Sequence, residues 1–199
     1  DATDLATGSA AAVSPIEHNA DWTAVYETFS DVDMALVPPG CFMMGSETGS
    51  DDEKVVHEQC FDTPFWIDRY EVTNQQFGSD GVFGDDSQPR ASVTWAEARD
   101  FCDGRNARLP TEREWEYAAR GTDGRIYPWG NTWDPFSART SIPVTTEIGP
   151  VAIGSYPSGL SAFELYDMAG NVAEWVSDWY DPAYYTSPAA SGIDPVGPS

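Results

Sequence analysis

Arg108-Leu109-Pro110-Thr111-Glu112-Arg113-Glu114-Trp115-Glu116-Tyr117-Ala118-Ala119-Arg120-Gly121 carries both the start and the stop of a helix. Thr111 and Glu114 have capping-box spacing, in which a hydroxyl and a carboxylate satisfy each other's orphan backbone amides. Trp115, Ala118 and Ala119 follow at helical intervals, and Gly121 supplies the left-handed stop. Just upstream, Thr94-Trp95-Ala96-Glu97 repeats the device. Trp95, Ala98, Phe101 and Cys102 line one face of that helix, which ends at Gly104 and Asn106.

Toward the N-terminus the pattern changes to strands. Apolar and polar residues roughly alternate from Trp22 to Val37, which predicts a hairpin closed near Ser30-Asp31 and ended by Pro38-Pro39-Gly40. Cys41-Phe42-Met43-Met44-Gly45 and Cys60-Phe61-Asp62 are short β-like pieces on either side of an acidic, loop-like Ser46–Glu58. Phe65 to Val72 is a further strand, stopped by Thr73-Asn74, and 78–90 is a Gly/Asp-rich loop. Residues 1–20 are small and polar and read as a flexible arm, either a loose terminus or an embrace for a neighbouring subunit. The domain proper is placed at 21–185, with 186–199 as a tail leading to an absent closing segment.

Past Gly121 regular periodicity stops for some forty residues, and Pro/Gly chemistry takes over, as in Tyr127-Pro128-Trp129-Gly130-Asn131. Irregular stretches of that length need a metal, a disulfide or a function to hold them. After it comes Leu165-Tyr166-Asp167-Met168-Ala169-Gly170-Asn171-Val172-Ala173-Glu174-Trp175-Val176. Hard cations such as Ca²⁺ take carboxylates together with backbone carbonyls from a tight loop. Asp167 and Glu174 can supply the charge, and the carbonyls around Gly170 and Val172 the neutral oxygens. The same spacing also suits a solvated turn.

Composition bounds the function. Of 199 residues, 10 are Lys or Arg and 33 are Asp or Glu, so the net charge is −23. That balance excludes a nucleic-acid binder, which needs basic groups to displace phosphate counterions, and a polybasic membrane-surface role. Hydrophobic residues make up 41% and the chain has 8 Trp, which excludes a disordered acidic chain. No apolar run is long enough for membrane insertion. Cys41 and Cys60 are paired here because each flanks a β-like segment; closing a loop of roughly 20 residues contributes about 3 kcal/mol in the chain-entropy description. Three reduced, buried cysteines are the other reading that the residues allow. The single lysine and the Ser/Thr/Ala-rich start favour an extracellular or cell-surface location.

Several of these segments together resemble the formylglycine-generating enzyme, or sulfatase-modifying factor, family. They are Gly40–Ser46, Phe65–Asn74, Val93–Ala98, Arg108–Gly121, Tyr127–Asn131, Asp167–Trp175 and Ser177–Tyr180, in the family's order across about residues 34–181. The resemblance implies an α+β fold: an irregular, loop-rich C-type lectin-like fold with two helices and short antiparallel strands. It implies a structural calcium held by the side chains of Asp167 and Glu174 and the carbonyls of Gly170 and Val172. A second family calcium site uses an Asn near Ala138-Arg139, and that Asn is absent.

The departures from the family shape the functional expectation. Its enzymes hold copper with two cysteines in a C-terminal segment and oxidise a substrate cysteine with O₂. No cysteine follows Cys102 here, so no copper is expected. A Trp common in that active-site wall is Ala173. Another branch works beside a three-histidine iron site; only His18 and His57 occur, and both read as solvated. The expectation is therefore a secreted, calcium-stabilised, non-catalytic module acting in binding, surface display or extracellular assembly. Its expected partner is a protein or glycan, or another copy met through the N-terminal arm or an open C-terminal edge. Trp175, Trp179, Tyr180, Tyr184 and Tyr185 are either core or a contact patch, with Tyr184 and Tyr185 the candidate contact aromatics. The alternative is the N-terminal portion of a copper-dependent oxidase whose catalytic cysteines lie outside these residues, with Cys102 placed to pair with a later cysteine.

Overall fold

The computed structural model describes residues 13–140, 149–193, 195 and 197. Two small sheets and two main helices frame a large amount of irregular chain, in agreement with the α+β, loop-rich expectation. Strands β1 (Tyr26–Phe29) and β2 (Val32–Val37) form the expected hairpin. Its turn is Ser30-Asp31, with φ of 49° and 63°, the left-handed pair that matches strand twist in a two-residue hairpin. Strand β5 (Phe65–Asp68) adds antiparallel to β2, pairing Met34 with Asp68 and Val37 with Phe65. It stops four residues before the expected end at Val72.

The second sheet pairs β3 (Gly40–Met44) with β4 (His57–Phe61), and Cys41 stands directly opposite Cys60. The two are joined by a disulfide, while Cys102 is free and buried. Strand β4 begins inside the stretch read as an acidic loop, because its inward positions His57, Gln59 and Phe61 alternate with outward Glu58 and Cys60. This corrects the reading of His57 as solvated: it is 9% exposed, with Nδ1 at 2.7 Å from the Val55 carbonyl. His18 is exposed.

The ends of the described chain are also built in. Ile16 bridges to Gly40 and is buried, and Asn19 accepts from the Thr122 amide at 2.8 Å. The segment 13–20 is thus anchored at Ile16 and Asn19, with most of its other residues exposed, and 1–12 of the expected flexible arm lie outside the described residues. At the other end, β6 (Gly192–Ile193) pairs parallel with β4, and Ala190 is fully buried. Part of the stretch read as a tail therefore belongs to a sheet. No helix among the described residues is long and apolar enough to cross a membrane.

The helices form where their caps are written. Helix α2 (Trp95–Gly104) starts at Thr94 and α3 (Glu112–Arg120) at Thr111, each with a reciprocal capping box. A one-turn helix, α1 (Asn74–Phe77), uses the same device through Thr73 and Gln76. Helix α3 lays Tyr117, Ala118 and Ala119 on the core. The Tyr117 ring lies 5.0–5.4 Å from those of Phe42, Phe61 and Phe163, and it is wholly buried. Its hydroxyl has no hydrogen-bond partner among the described residues.

This packing separates two substitutions. Tyr117→Ala opens a cavity at the centre and is expected to cost about 3–5 kcal/mol in denaturant unfolding. Tyr117→Phe removes only an unsatisfied hydroxyl and is expected to be neutral or stabilising. Equal losses in both would show that the hydroxyl has a partner.

Candidate functional site

The segment from Asp167 to Glu174 has no regular structure, and its shape is fixed residue by residue. Asp167, Gly170 and Asn171 adopt φ of 56°, 98° and 57°. At Gly170 a side chain is excluded twice, by that backbone angle and by the Arg139 carbonyl lying against the position of a Cβ. Asn171 is the hub. Its amide donates to the Arg139 carbonyl at 2.9 Å, and its Oδ1 accepts from the Val151 amide at 2.9 Å. Its Nδ2 donates to Glu71 at 2.6 Å.

Glu71 had no role in the sequence reading, yet it holds this loop. One carboxylate oxygen takes the Asn171 side chain and the other accepts from the Val172 amide at 3.1 Å. Glu71 is 7% exposed. Burial, then repulsion from Glu174 and Asp167, push its carboxyl up to about 9 in spite of those two hydrogen bonds. A charged residue in the strand-like Tyr70-Glu71-Val72 looks like a solvent-facing position, and the only available signal was its place beside Tyr70 in a motif of the resemblance.

The two proposed carboxylate ligands are in the same state. Asp167 is buried and accepts from the Gly154 amide at 2.8 Å, and burial raises its pKa against that bond. Glu174 is an exposed residue whose carboxylate is packed by the neighbouring walls. Burial raises it to about 7, while the Trp115 indole N–H, donating at 3.1 Å, works in the opposite direction. None of the three carboxylates has an arginine or lysine partner among the described residues. Neither the Gly170 nor the Val172 carbonyl accepts a described hydrogen bond.

This donor set fits a hard cation. The carboxylates are short of countercharge, and two carbonyl oxygens are unclaimed. Among the described residues no three acidic, histidine or cysteine side chains form a metal cage by themselves, so the carbonyls would be required. Where the missing Asn of the second family site would stand, Arg139 turns its guanidinium to the Gly149 carbonyl, with Nε at 3.3 Å. Residues 141–148 beside it lie outside the described residues.

Behind the loop runs a recess of about 360 Å³ between β5 and α2, with Glu71 and Glu174 in its wall. The terminal aromatics divide differently from the expectation. Trp175, Trp179 and Tyr180 are 49%, 70% and 74% exposed. Tyr185 is half-buried, packs on the core, stacks on His57 and donates to Glu112, so it is committed inward. Tyr184 is also half-buried, edge-on to Tyr185.

The carboxylate pKa values set a pH dependence. In cation-free protein Glu71 and Glu174 bind protons more tightly folded than unfolded, so stability is expected to fall as pH rises from about 4.5 through 7 toward 9. Melting temperatures in chelator across that range check it. A flat or rising profile would contradict the crowding of carboxylates.

Comparison with known proteins gives the family. Residues 23–80 and 79–194 match the sulfatase-modifying factor enzyme 1-like domain. The chain is 35% identical over 199 aligned residues to the serine/threonine-protein kinase pkn1 of Chlamydia caviae, covering 84% of this chain and 31% of that protein. It is 35% identical over 130 residues to the formylglycine-generating enzyme of Streptomyces coelicolor, with 59% of this chain and 40% of that enzyme covered. It is also 39% identical over 106 residues to the inactive C-alpha-formylglycine-generating enzyme 2 of Bos taurus, covering 48% and 34%. The chain thus spans about a third of the length of the curated relatives it matches. In fold it is similar to PvdO from Pseudomonas aeruginosa, with a TM-score of 0.67 at 23% identity over 86% of this chain and 80% of that one. From the Gly40 strand to the Asn171 hub, the chain belongs to the sulfatase-modifying factor family, which includes the formylglycine-generating enzymes.

Proposed function

We propose that this domain is a secreted, calcium-stabilised, non-catalytic member of its family, acting in binding, surface display or extracellular assembly. One observation carries the calcium reading: three under-compensated carboxylates, Glu71, Asp167 and Glu174, surround a loop with two unclaimed carbonyls. A bound Ca²⁺ would supply the missing positive charge and brace the irregular region. Asp167 and Glu174 would hold it with the carbonyls of Gly170 and Val172, and Glu71 would fix the loop through Asn171. The ion's part is structural.

The non-catalytic reading rests on the cysteines. Cys41 and Cys60 are consumed in a disulfide and Cys102 is buried alone, so these residues offer no thiolate pair for copper. A relative named as inactive shows that the family includes such members. A cross-strand disulfide and a single lysine suit an oxidising, extracellular setting. The exposed Trp175, Trp179 and Tyr180 offer contact area for a protein or glycan.

The similarity to the Streptomyces coelicolor enzyme, of which this chain spans 40%, favours a second reading. In it the domain is the front portion of a copper-dependent oxidase whose catalytic cysteines lie elsewhere in the protein. Intact mass and C-terminal peptide mapping of the native protein separate the two. A cysteine pair beyond these residues supports the oxidase, and its absence supports the binding module.

For calcium, Asp167→Ala or Glu174→Ala is expected to lower the melting temperature by several degrees and to abolish its rise with added Ca²⁺. A melting curve of the intact protein that ignores both chelator and calcium would remove the assignment.

A further inference from the structure

We propose that a pocket between the acidic 46–56 loop, helix α3 and the late aromatic segment binds an alkyl diamine or polyamine. This goes beyond the proposed function, and no residue of the calcium loop lines the pocket.

The pocket has a volume of about 200 Å³, below the roughly 300–1,000 Å³ of sites for drug-sized ligands. Its occupant is therefore small or slender. One part of the wall is made of rings, those of Trp179, Tyr180, Tyr184 and Tyr185. Neighbouring rings hold them in place. Trp179 stacks on Trp95 with centroids 6.2 Å apart, Tyr185 lies 4.9 Å from His57, and Tyr184 stands edge-on to Tyr185 at 5.6 Å. Tyr180 is tied down by its hydroxyl, which donates to Asp52 at 3.0 Å. Trp179 and Tyr180 are exposed, so the pocket opens to solvent on their side.

Carboxylates make up another part: Asp52, Glu53, Glu112, Glu116 and Asp181 line the pocket, and no lysine or arginine does. Of the five, Glu116 alone has a basic partner among the described residues, Arg120. Asp52 and Glu112 each accept a tyrosine hydroxyl, which occupies one of a carboxylate's several lone-pair sites and brings no charge. Glu53 and Asp181 accept the backbone amides of Ser50 and Ala183. Burial raises the Glu112 carboxyl, the Tyr185 hydroxyl opposes this, and Glu116, Asp178 and Asp52 raise it further by repulsion. The pocket is short of positive charge.

Rings and dispersed carboxylates together select the ligand. A ring face attracts an organic cation and also packs against methylenes. Among the described residues no three acidic side chains gather as a metal cage, so the charge here suits several separated ammonium groups better than a single ion. Each ammonium donates up to three hydrogen bonds, and carboxylates are acceptors only. A monoamine would leave carboxylates uncompensated, and a hydrated metal ion would leave the rings unused.

The test uses the intact protein in calcium-containing buffer at constant ionic strength, with spermidine as the probe and calorimetric titration as the readout. Pentylamine supplies one charge on a similar chain, and Mg²⁺ supplies two charges without hydrocarbon. Spermidine is expected to bind once per chain and about tenfold more tightly than either comparator. Glu112→Gln keeps an acceptor for Tyr185 and is expected to weaken spermidine about tenfold. Tyr180→Leu, at an exposed ring, is expected to weaken it several-fold and tests the site independently of α3. Glu27→Gln, on exposed β1 and outside the pocket, removes the same charge as Glu112→Gln and is expected to leave affinity unchanged. Equal binding by pentylamine or Mg²⁺, or a titration that never saturates at one per chain, would overturn the proposal. So would equal weakening by Glu27→Gln, which would reduce the binding to general attraction by a chain of net charge −23.

Discussion

The Glu71 carboxylate ties the two ends of the fold together. It leaves the chain three residues after β5 and receives the side chain of Asn171 and the amide of Val172, a hundred residues further on. Beside that tie, the Tyr166 amide donates to the Arg69 carbonyl at 2.9 Å and the Tyr70 and Tyr166 rings stack, so the chain after β5 is fastened to the late loop at successive residues. The tie has a cost, because a buried carboxylate beside two others loses hydration and gains repulsion. Hydrogen bonds alone do not offset this, as the upward displacement of its pKa shows. A bound cation would relieve this crowding, which is the ground for proposing calcium at the loop.

The rest of the architecture works by a similar economy of regular structure. Among the described residues, two three-stranded sheets and two helices of nine or ten residues enclose a core centred on Tyr117, Phe163 and Leu165. In 121–140 and 149–176 the chain is held by turns, left-handed residues and side-chain bonds to backbone. The indole N–H of Trp95 on the Val176 carbonyl and that of Trp175 on the Val93 carbonyl fasten the late segment to α2. A frame built this way fixes its loops without burying them, which suits a surface that binds.

Much of this was legible in the sequence wherever the signal is local. Capping boxes placed α2 and α3, the hairpin turn fell at Ser30-Asp31, and Cys41 and Cys60 meet across β3 and β4. Helix α1 carries the same Thr-x-x-Gln signature at Thr73–Gln76, but four residues give no periodicity to support it. Strand β4 was hidden because His57 and Gln59 are polar residues on the inward side, bonded there to Val55, Ala190 and each other. Glu71 and Asn171 were missed for a related reason. Their partners are distant in sequence, and polarity alone does not separate a buried, bonded group from a solvated one. The ends of the domain were read from composition, which does not register the contacts of Ile16 with Gly40 or of β6 with β4.

Terbium luminescence tests the calcium-braced loop most directly. The Trp115 indole donates to Glu174, so a lanthanide held by that carboxylate sits within energy-transfer reach of a tryptophan. Excitation of tryptophan should give terbium emission that saturates at one ion per chain, is displaced by calcium, and is lost when Asp167→Asn and Glu174→Gln are combined. Sensitised emission that never develops, or that persists unchanged in the double variant, would contradict a cation at this loop.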